Sequence, residues 1–267
     1  MTQPSPPLPS TAPVTAAAPA GARVVFIGAG PGAADLITVR GAQRLGRAEV
    51  VLFDALTDPA LQALAPQARW IDVGKRGFGH ATGQAAINAL LVEAAQAHAH
   101  SHGHVVRLKG GDPSIFGRLE EEMAALQAAG IGYEVVPGVS AALAAAAGTG
   151  RPLTRRGHGR SVSLTTAMTH LGILQATRTA DTEVFYMAGR QLAALSAHLM
   201  DAGWPGSTPV CVVSRAGWPD AITTDHTVAT LADATTPHAE RPAVVTVGAG
   251  ARPVAPTASA PDAAQDP

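Results

Sequence analysis

Two glycine-rich stretches carry the residues best suited to chemistry. The first is "VVFIGAGPGAADLITV", residues 24–39. An apolar run enters a turn holding Gly28, Gly30, Pro31 and Gly32, and a helix-like pattern follows. Backbone N–H groups bared by glycine can cradle a phosphate, and Gly28-x-Gly30-x-x-Ala33 satisfies a loose dinucleotide fingerprint. Pro31 opposes that reading, because proline takes one N–H out of the cradle. A ribose-holding acid belongs about 20 residues further on. Glu49 starts the next apolar run, and Asp54 ends it, 22 residues after Gly32. The second stretch is "RLKGGDPSIFGR", residues 107–118. Asp112, behind Gly110 and Gly111, either accepts hydrogen bonds from a ligand's hydroxyl or amino groups or caps its own turn. Arg107, Lys109 and Arg118 flank that turn, and Arg151, Arg155, Arg156, His158 and Arg160 follow in the next glycine-rich segment. Such a cluster is either a solvated face or a clamp that binds a polyanion through charge-assisted hydrogen bonds.

The elements that must position these residues are legible as alternating patterns. "RVVFIG", "EVVLFD", "RWIDVG", "HVVRLKGGDP" and "YEVVPG" read as strands. Helical patterns cover 36–47, 82–98, 119–129 and 140–147, with a short one in "ALQALAP" that Pro66 stops. In the helix 82–98, Ile87, Leu90, Leu91 and Ala94 share a face. Strands alternating with helices predict an α/β fold with a mainly parallel sheet. Ligands of such sheets bind beyond the carboxyl ends of the strands. Those ends carry Gly28 to Gly32, Asp54, Gly74-Lys75-Arg76, Gly110-Gly111-Asp112 and Pro137-Gly138. "GTGRPLTRRGHG", residues 148–159, suits a linker between two lobes. Beyond it lie strands near "SVSLTT", "EVFYMA", "PVCVVS", "AITTDH" and "AVVTVG", with one clear helix over 191–202. Fewer helices per strand predict a mixed sheet in the second lobe.

Composition narrows the classes. Of 267 residues, 46% are hydrophobic and 15% charged, which predicts a well-buried folded part, and aromatics at 4% leave the core to Ala, Val and Leu. Lys and Arg total 19 against 20 Asp and Glu, so no global charge points to a nucleic-acid partner. The single cysteine, Cys211, excludes an intrachain disulfide, fits a reducing compartment, and in "PVCVV" reads as a small buried hydrophobe. The first 22 residues hold six prolines and no Lys or Arg, unlike a signal or transit peptide. They and residues 251–267 read as disordered tails. No apolar run is long enough to cross a membrane, and a cytoplasmic location is expected. "HAHSHGH" carries His98, His100, His102 and His104, but it spans a helix end, a turn and a strand start, so the four share no face and no metal site is expected.

Five motifs occur in order: "GAGPGAADLITVRGAQRLGRAEVVLFDAL", "GKRGF", "VVRLKGGDPSIFGR", "YEVVPGVSAALAAAAGTGRPLTRRG" and "VFYMAG". In these the chain closely resembles the uroporphyrinogen-III C-methyltransferases of the tetrapyrrole methylase family, over about residues 23–250. The resemblance implies a two-lobed α/β class III methyltransferase fold with its active site in the cleft between lobes 23–150 and 151–250, and a homodimer. It implies S-adenosylmethionine (SAM) as methyl donor, S-adenosylhomocysteine as by-product, and uroporphyrinogen III, a tetrapyrrole with eight carboxylates, as substrate. Two ring carbons would be methylated to give precorrin-2, for cobalamin or sirohaem formation.

By the same resemblance, Pro31, Gly110, Gly111, Asp112, Ile115, Ser140, Ala141, Met187, Ala216 and Ala243 match cofactor-contacting positions. Asp54 and Lys75 match acid/base positions, and Arg118, Glu121 and Arg156 match residues of substrate binding and proton removal. The chemistry suits these types: a methyl on a sulfonium needs mainly alignment, and the methylated ring must lose a proton to a nearby base. Arginine is a poor base, so Arg118 and Arg156 read first as carboxylate clamps. The chain departs from the family pattern at Ala33, where Asp is usual; at Leu119-Glu120, where two glycines are usual; and at "TTAMTH" in place of Thr-Gly-His. The competing readings are a methylase of a later corrin intermediate, a dinucleotide-dependent oxidoreductase, and a non-catalytic relative.

Overall fold

A computed structural model of the chain describes residues 22–74, 83–98, 103–168 and 173–254. Among them, ten strands form two five-stranded sheets. The first contains β1 (Ala22–Gly28), β2 (Ala48–Phe53), β3 (Arg69–Asp72), β4 (His104–Lys109) and β5 (Gly132–Val136), in the order β3-β2-β4-β1-β5. Every pairing in it is parallel. Both of its faces are buried. Val25, Ile27, Val51, Val106 and Leu108 pack with Leu45 of α1 (Val39–Leu45) on one side. Val24, Phe26, Val50, Leu52 and Val105 pack with Leu91 of α2 (Gln84–Ala97) and Leu126 of α3 (Leu119–Ala128) on the other. Two-sided burial is why these strands read as unbroken apolar runs.

The second sheet is mixed, as its sparse helices suggest. β6 (Val162–Thr166), β7 (Thr182–Tyr186), β8 (Pro209–Ser214), β9 (Ile222–Thr227) and β10 (Ala243–Gly248) lie in the order β6-β7-β10-β8-β9. Only the β6–β7 pair is parallel. One face packs on α5 (Leu192–Asp201) through Phe185, Leu195, Leu199 and Val245. The other face receives α4 (Ala141–Thr149), whose Ala142 and Ala145 sit with Val184, Cys211, Val213 and Val244. The helix that follows β5 of the first sheet therefore packs on the second. Cys211 is buried there, which pushes its thiol above the usual range.

Several elements differ from the sequence pattern for local reasons. The helix expected over 36–47 is split into a 3-10 turn at Ala34–Leu36 and α1 from Val39. Thr38 is extended between them, and its hydroxyl caps the helix by accepting from Gly41 N at 3.0 Å. The short helix in "ALQALAP" is a 3-10 helix, Pro59–Leu64, capped by Asp58. α4 runs on to Thr149 and stops at Gly150 in the left-handed region. A further 3-10 helix, Val228–Ala234, was hidden in an unremarkable stretch. It starts at a Thr227–Thr230 capping box.

One tyrosine ties the two halves of the chain. Tyr186, at the end of β7, shares a 2.6 Å hydrogen bond with Ser140 Oγ and accepts another from Ala142 N at 3.2 Å. Tyr186→Phe keeps the ring and removes both bonds. The expected loss is about 1–2 kcal/mol, read as a lower urea-unfolding midpoint; an unchanged midpoint would show the tie to be dispensable.

Candidate active site

The carboxyl ends of β1, β4 and β5 meet without room for side chains. A Cβ built on Gly28 would lie 2.5 Å from Gly138 Cα and 2.7 Å from Gly111 O, and one on Gly138 would lie 2.3 Å from Gly111 O. Real carbon atoms do not approach so closely, so glycine is dictated by packing at these positions. Gly30 and Gly111 extend the contact as a bridge: Gly111 N donates to Gly30 O at 2.7 Å and Gly30 N to Gly111 O at 3.3 Å. Asp112 locks the third loop, accepting from Gly138 N at 2.9 Å and from Ser114 N at 2.8 Å. The turn-capping role thus holds. A carboxylate has about four lone-pair sites, so Asp112 keeps capacity for a ligand.

Accounting for the first loop's N–H groups decides against a phosphate cradle. Ala29 N donates to Lys109 O, Gly30 N to Gly111 O, and Ala33 N to Gly217 O. Ala34 N donates to Asp58 Oδ2 at 3.0 Å. Pro31 has no N–H. The loop leads into a three-residue 3-10 turn rather than a helix whose dipole would favour an anion. Of the N–H groups at 29–34 only that of Gly32 has no acceptor among the described residues, and one donor does not make a pyrophosphate cradle.

Residues around the second sheet complete the surroundings. Trp218 Nε1 donates to Pro31 O at 3.1 Å, and a Cβ on Gly32 would meet Gly217 C at 2.6 Å. Trp218 is held by the Arg215 guanidinium, 4.4 Å from its ring centroid, and Arg215 pairs with Asp220. Ala216, between Arg215 and Gly217, is buried, and Arg215 N donates to Pro242 O beside buried Ala243. Ser140 and Ala141 open α4 under Tyr186, whose ring lies 5.1 Å from that of Phe116. Met187 follows Tyr186 in the left-handed region (φ 59°) with 55% of its surface exposed. Ile115 N closes the Asp112 turn. Pro31, Gly110, Gly111, Asp112, Ile115, Ser140, Ala141, Met187, Ala216 and Ala243 therefore lie along one connected set of contacts.

The charged candidates separate. Asp54 follows β2, and its Oδ1 accepts from Arg107 Nη2 at 2.6 Å. Arg107 also donates to Glu122 Oε1 at 3.0 Å, and Lys109 Nζ to Glu122 Oε2 at 2.9 Å. Burial pushes the Lys109 ammonium below its usual range, aided by Arg107 and countered by Glu122. Arg118 and Glu121 form an exposed two-bond pair that raises the arginine and lowers the carboxyl. Arg156 is exposed in the turn between Arg155 and Gly159, which leads to the start of β6. That is the end of the second sheet opposite Met187, so the structure does not bring Arg156 to the glycine loops. Lys75 lies outside the described residues, as do His100 and His102. His98 Nδ1 and His104 Nε2 face the backbone carbonyls of Ala94 and Arg44. Among the described residues no cluster of His, Cys, Asp or Glu is disposed to hold a metal ion.

Pattern reading undervalued Glu122, Tyr186 and Trp218. Glu122 had a signal: it occupies the inward side of α3 with Leu119 and Leu126, while Arg107 and Lys109 follow Val105 on the same covered face of β4. Tyr186 and Trp218 had none, because their side-chain hydrogen-bond partners are 44 or more residues away in sequence. A separate cavity of about 570 Å³ opens at the far end of the second sheet, among His158, Arg178, Asp181, Trp204 and Arg252, away from these loops.

The chain's likenesses agree with this geometry. The family model of the tetrapyrrole (corrin/porphyrin) methylases matches residues 23–232. A uroporphyrinogen-III C-methyltransferase of Synechocystis sp. is 40% identical over 236 residues, covering 85% of this chain and 88% of its own. A siroheme synthase of Psychrobacter sp. is 40% identical over 225 residues, covering 82% of this chain; the chain spans only 45% of that protein's length. The structure of uroporphyrin-III C-methyltransferase from Thermus thermophilus complexed with S-adenosylhomocysteine superposes with a TM-score of 0.72 at 34% identity, over 85% of this chain and 97% of that one.

The glycine contact yields a direct expectation. Gly138→Ala places a carbon against the Gly111 carbonyl, and should cost about 1–3 kcal/mol of stability through overpacking. Gly148→Ala, within α4 where a Cβ would meet nothing within 4 Å, is the control and should leave the thermal midpoint unchanged or slightly raised. Equal midpoints for the two variants would refute the constraint.

Proposed function

Because the chain belongs to the tetrapyrrole (corrin/porphyrin) methylases, we propose that it transfers methyl groups from SAM to two ring carbons of uroporphyrinogen III, giving precorrin-2. The observation that carries this reading is the loop around Pro31, where four of the N–H groups at 29–34 already donate to the protein and Pro31 has none. It suits a donor without a pyrophosphate and disfavours a dinucleotide.

The residues fit such a donor. Beside Gly111 a Cβ would meet only Val139 O, at 4.0 Å, so the backbone there is open to a ligand. Asp112 and Ser140 offer oxygen acceptors for hydroxyl and amino groups. Met187, Ala141, Ala216 and Ala243 offer small or apolar surface for a flat ring. When bound, SAM supplies an electrophilic methyl on a sulfonium, and the protein's task is alignment. The substrate would lie between the lobes, with Arg118 as a carboxylate clamp. Asp54 Oδ1 is taken by Arg107, and among the described residues Oδ2 has no partner. Asp54 Oδ2 is therefore the atom that accepts the proton released when a methylated ring carbon recovers its conjugation. By the family resemblance Lys75 is read as an acid/base residue and Glu121 as a residue of substrate binding and proton removal. We read the working unit as a homodimer, with Arg156 reserved for substrate or for the second copy.

The decisive assay incubates the protein with uroporphyrinogen III and SAM and weighs the product. A gain of two methyl groups is expected. No gain with this substrate, but methylation of a more highly methylated corrin intermediate, would move the activity to a later step. Calorimetry should show binding of S-adenosylhomocysteine and none of NAD; the reverse would overturn the reading. Asp54→Asn should lower kcat about a hundredfold while leaving S-adenosylhomocysteine affinity intact.

A further inference from the structure

Four charges form one line beneath the glycine turns: Lys109, Glu122, Arg107 and Asp54. The successive contacts are 2.9, 3.0 and 2.6 Å. Three of the four side chains are sealed, with exposures of 3%, 0% and 2%, and only Asp54, at 31%, reaches solvent. Arg107 is immobilised at the centre. Its Nε is given to Glu122 and its Nη2 to Asp54, while Nη1 donates to Leu52 O at 3.4 Å and Leu108 O at 3.2 Å. Gln84 Nε2 adds a neutral donor to Glu122 Oε1 at 3.2 Å. Two cations balance two anions.

Stability alone does not account for such a line. Buried ion pairs often contribute no more than well-packed apolar residues of the same volume. What the line does supply is a fixed charge arrangement behind one accessible carboxylate, in a region where water screens little. Among the described residues, the acidic groups near that strand end are otherwise engaged. Asp72 of β3 caps Gly74 N, Asp58 holds Ala34 N and Ala60 N, Asp112 caps its turn, and Glu121 pairs with Arg118 on the exposed side of α3.

Resting on the reading of Asp54 as proton acceptor, we infer that Glu122 and Lys109 are positioning residues: they fix the Arg107 guanidinium that grips Asp54 Oδ1, and their opposite charges bias in opposite directions the pH at which Asp54 takes the substrate's proton. Neither side chain touches the substrate. Glu122 draws on the same guanidinium and moderates it, and Lys109 offsets Glu122 in turn. The state of the site is thus tuned by two groups one and two contacts behind the acceptor.

The sign of the effect provides the test. Glu122→Gln deletes a negative charge, makes protonation of Asp54 harder, and should move the acidic limb of the kcat/KM profile for methyl transfer about one unit to lower pH. Lys109→Met deletes a positive charge and should move it about one unit the other way. The double variant restores the balance and should return the limb close to that of the parent protein. Binding of S-adenosylhomocysteine by calorimetry checks that each variant is folded. If Glu122→Gln fails to fold, the comparison of Lys109→Met with the double variant carries the test. Limbs that stay in place, or that move in the same direction in both single variants, would overturn the inference and leave only a structural role. Full activity in Asp54→Asn would instead overturn the underlying reading of Asp54.

Discussion

Three stretches of backbone touch where the Gly111 carbonyl meets Gly28 and Gly138, with no space for a side-chain carbon on either of those two, and the candidate site is built outward from that contact. The contact brings the ends of β1, β4 and β5 into one layer. The Gly30–Gly111 bridge and the Asp112 carboxylate then fasten the loops to one another. Because most of the first loop's N–H groups are used within the protein, the surface it offers is not an anion cradle. Pro31 is consistent with this: a residue without an N–H is harmless in a loop where four neighbours already donate to the protein.

A second constraint acts from outside the first sheet. Gly217 and Trp218 hold the first glycine loop, and Tyr186 holds the start of α4. The residues that the family resemblance marks as cofactor contacts come from both sheets, and these ties keep them on one continuous surface. The charged line from Lys109 to Asp54 lies directly beneath. Packing therefore shapes the site where SAM is proposed to bind, and buried electrostatics prepares the carboxylate proposed to take the proton.

Much of this was legible in the sequence, for reasons that can be named. Parallel strands buried on both faces appear as apolar runs, so the first sheet was readable from "RVVFIG" to "YEVVPG". The ordered motifs identified the family. What stayed hidden depended on long-range contact. α4 is almost all alanine and has no distinct apolar stripe, so its packing on the second sheet could not be read. Thr38 looked like one more residue of a helix, yet its hydroxyl begins one. The dinucleotide fingerprint survived pattern reading because a pattern does not record where N–H groups donate. Glu122 was visible as a charge at an inward helical position, but its meaning required the two cations across from it.

Amide hydrogen exchange with and without S-adenosylhomocysteine tests the central claim most directly, because it maps the ligand onto the chain. Slowed exchange should be confined to segments 29–33, 110–116, 138–142, 187–189 and 214–218, with NAD producing no protection. Protection centred on the far cavity around Arg178 and Arg252, or protection of the glycine loops by NAD and not by S-adenosylhomocysteine, would contradict it.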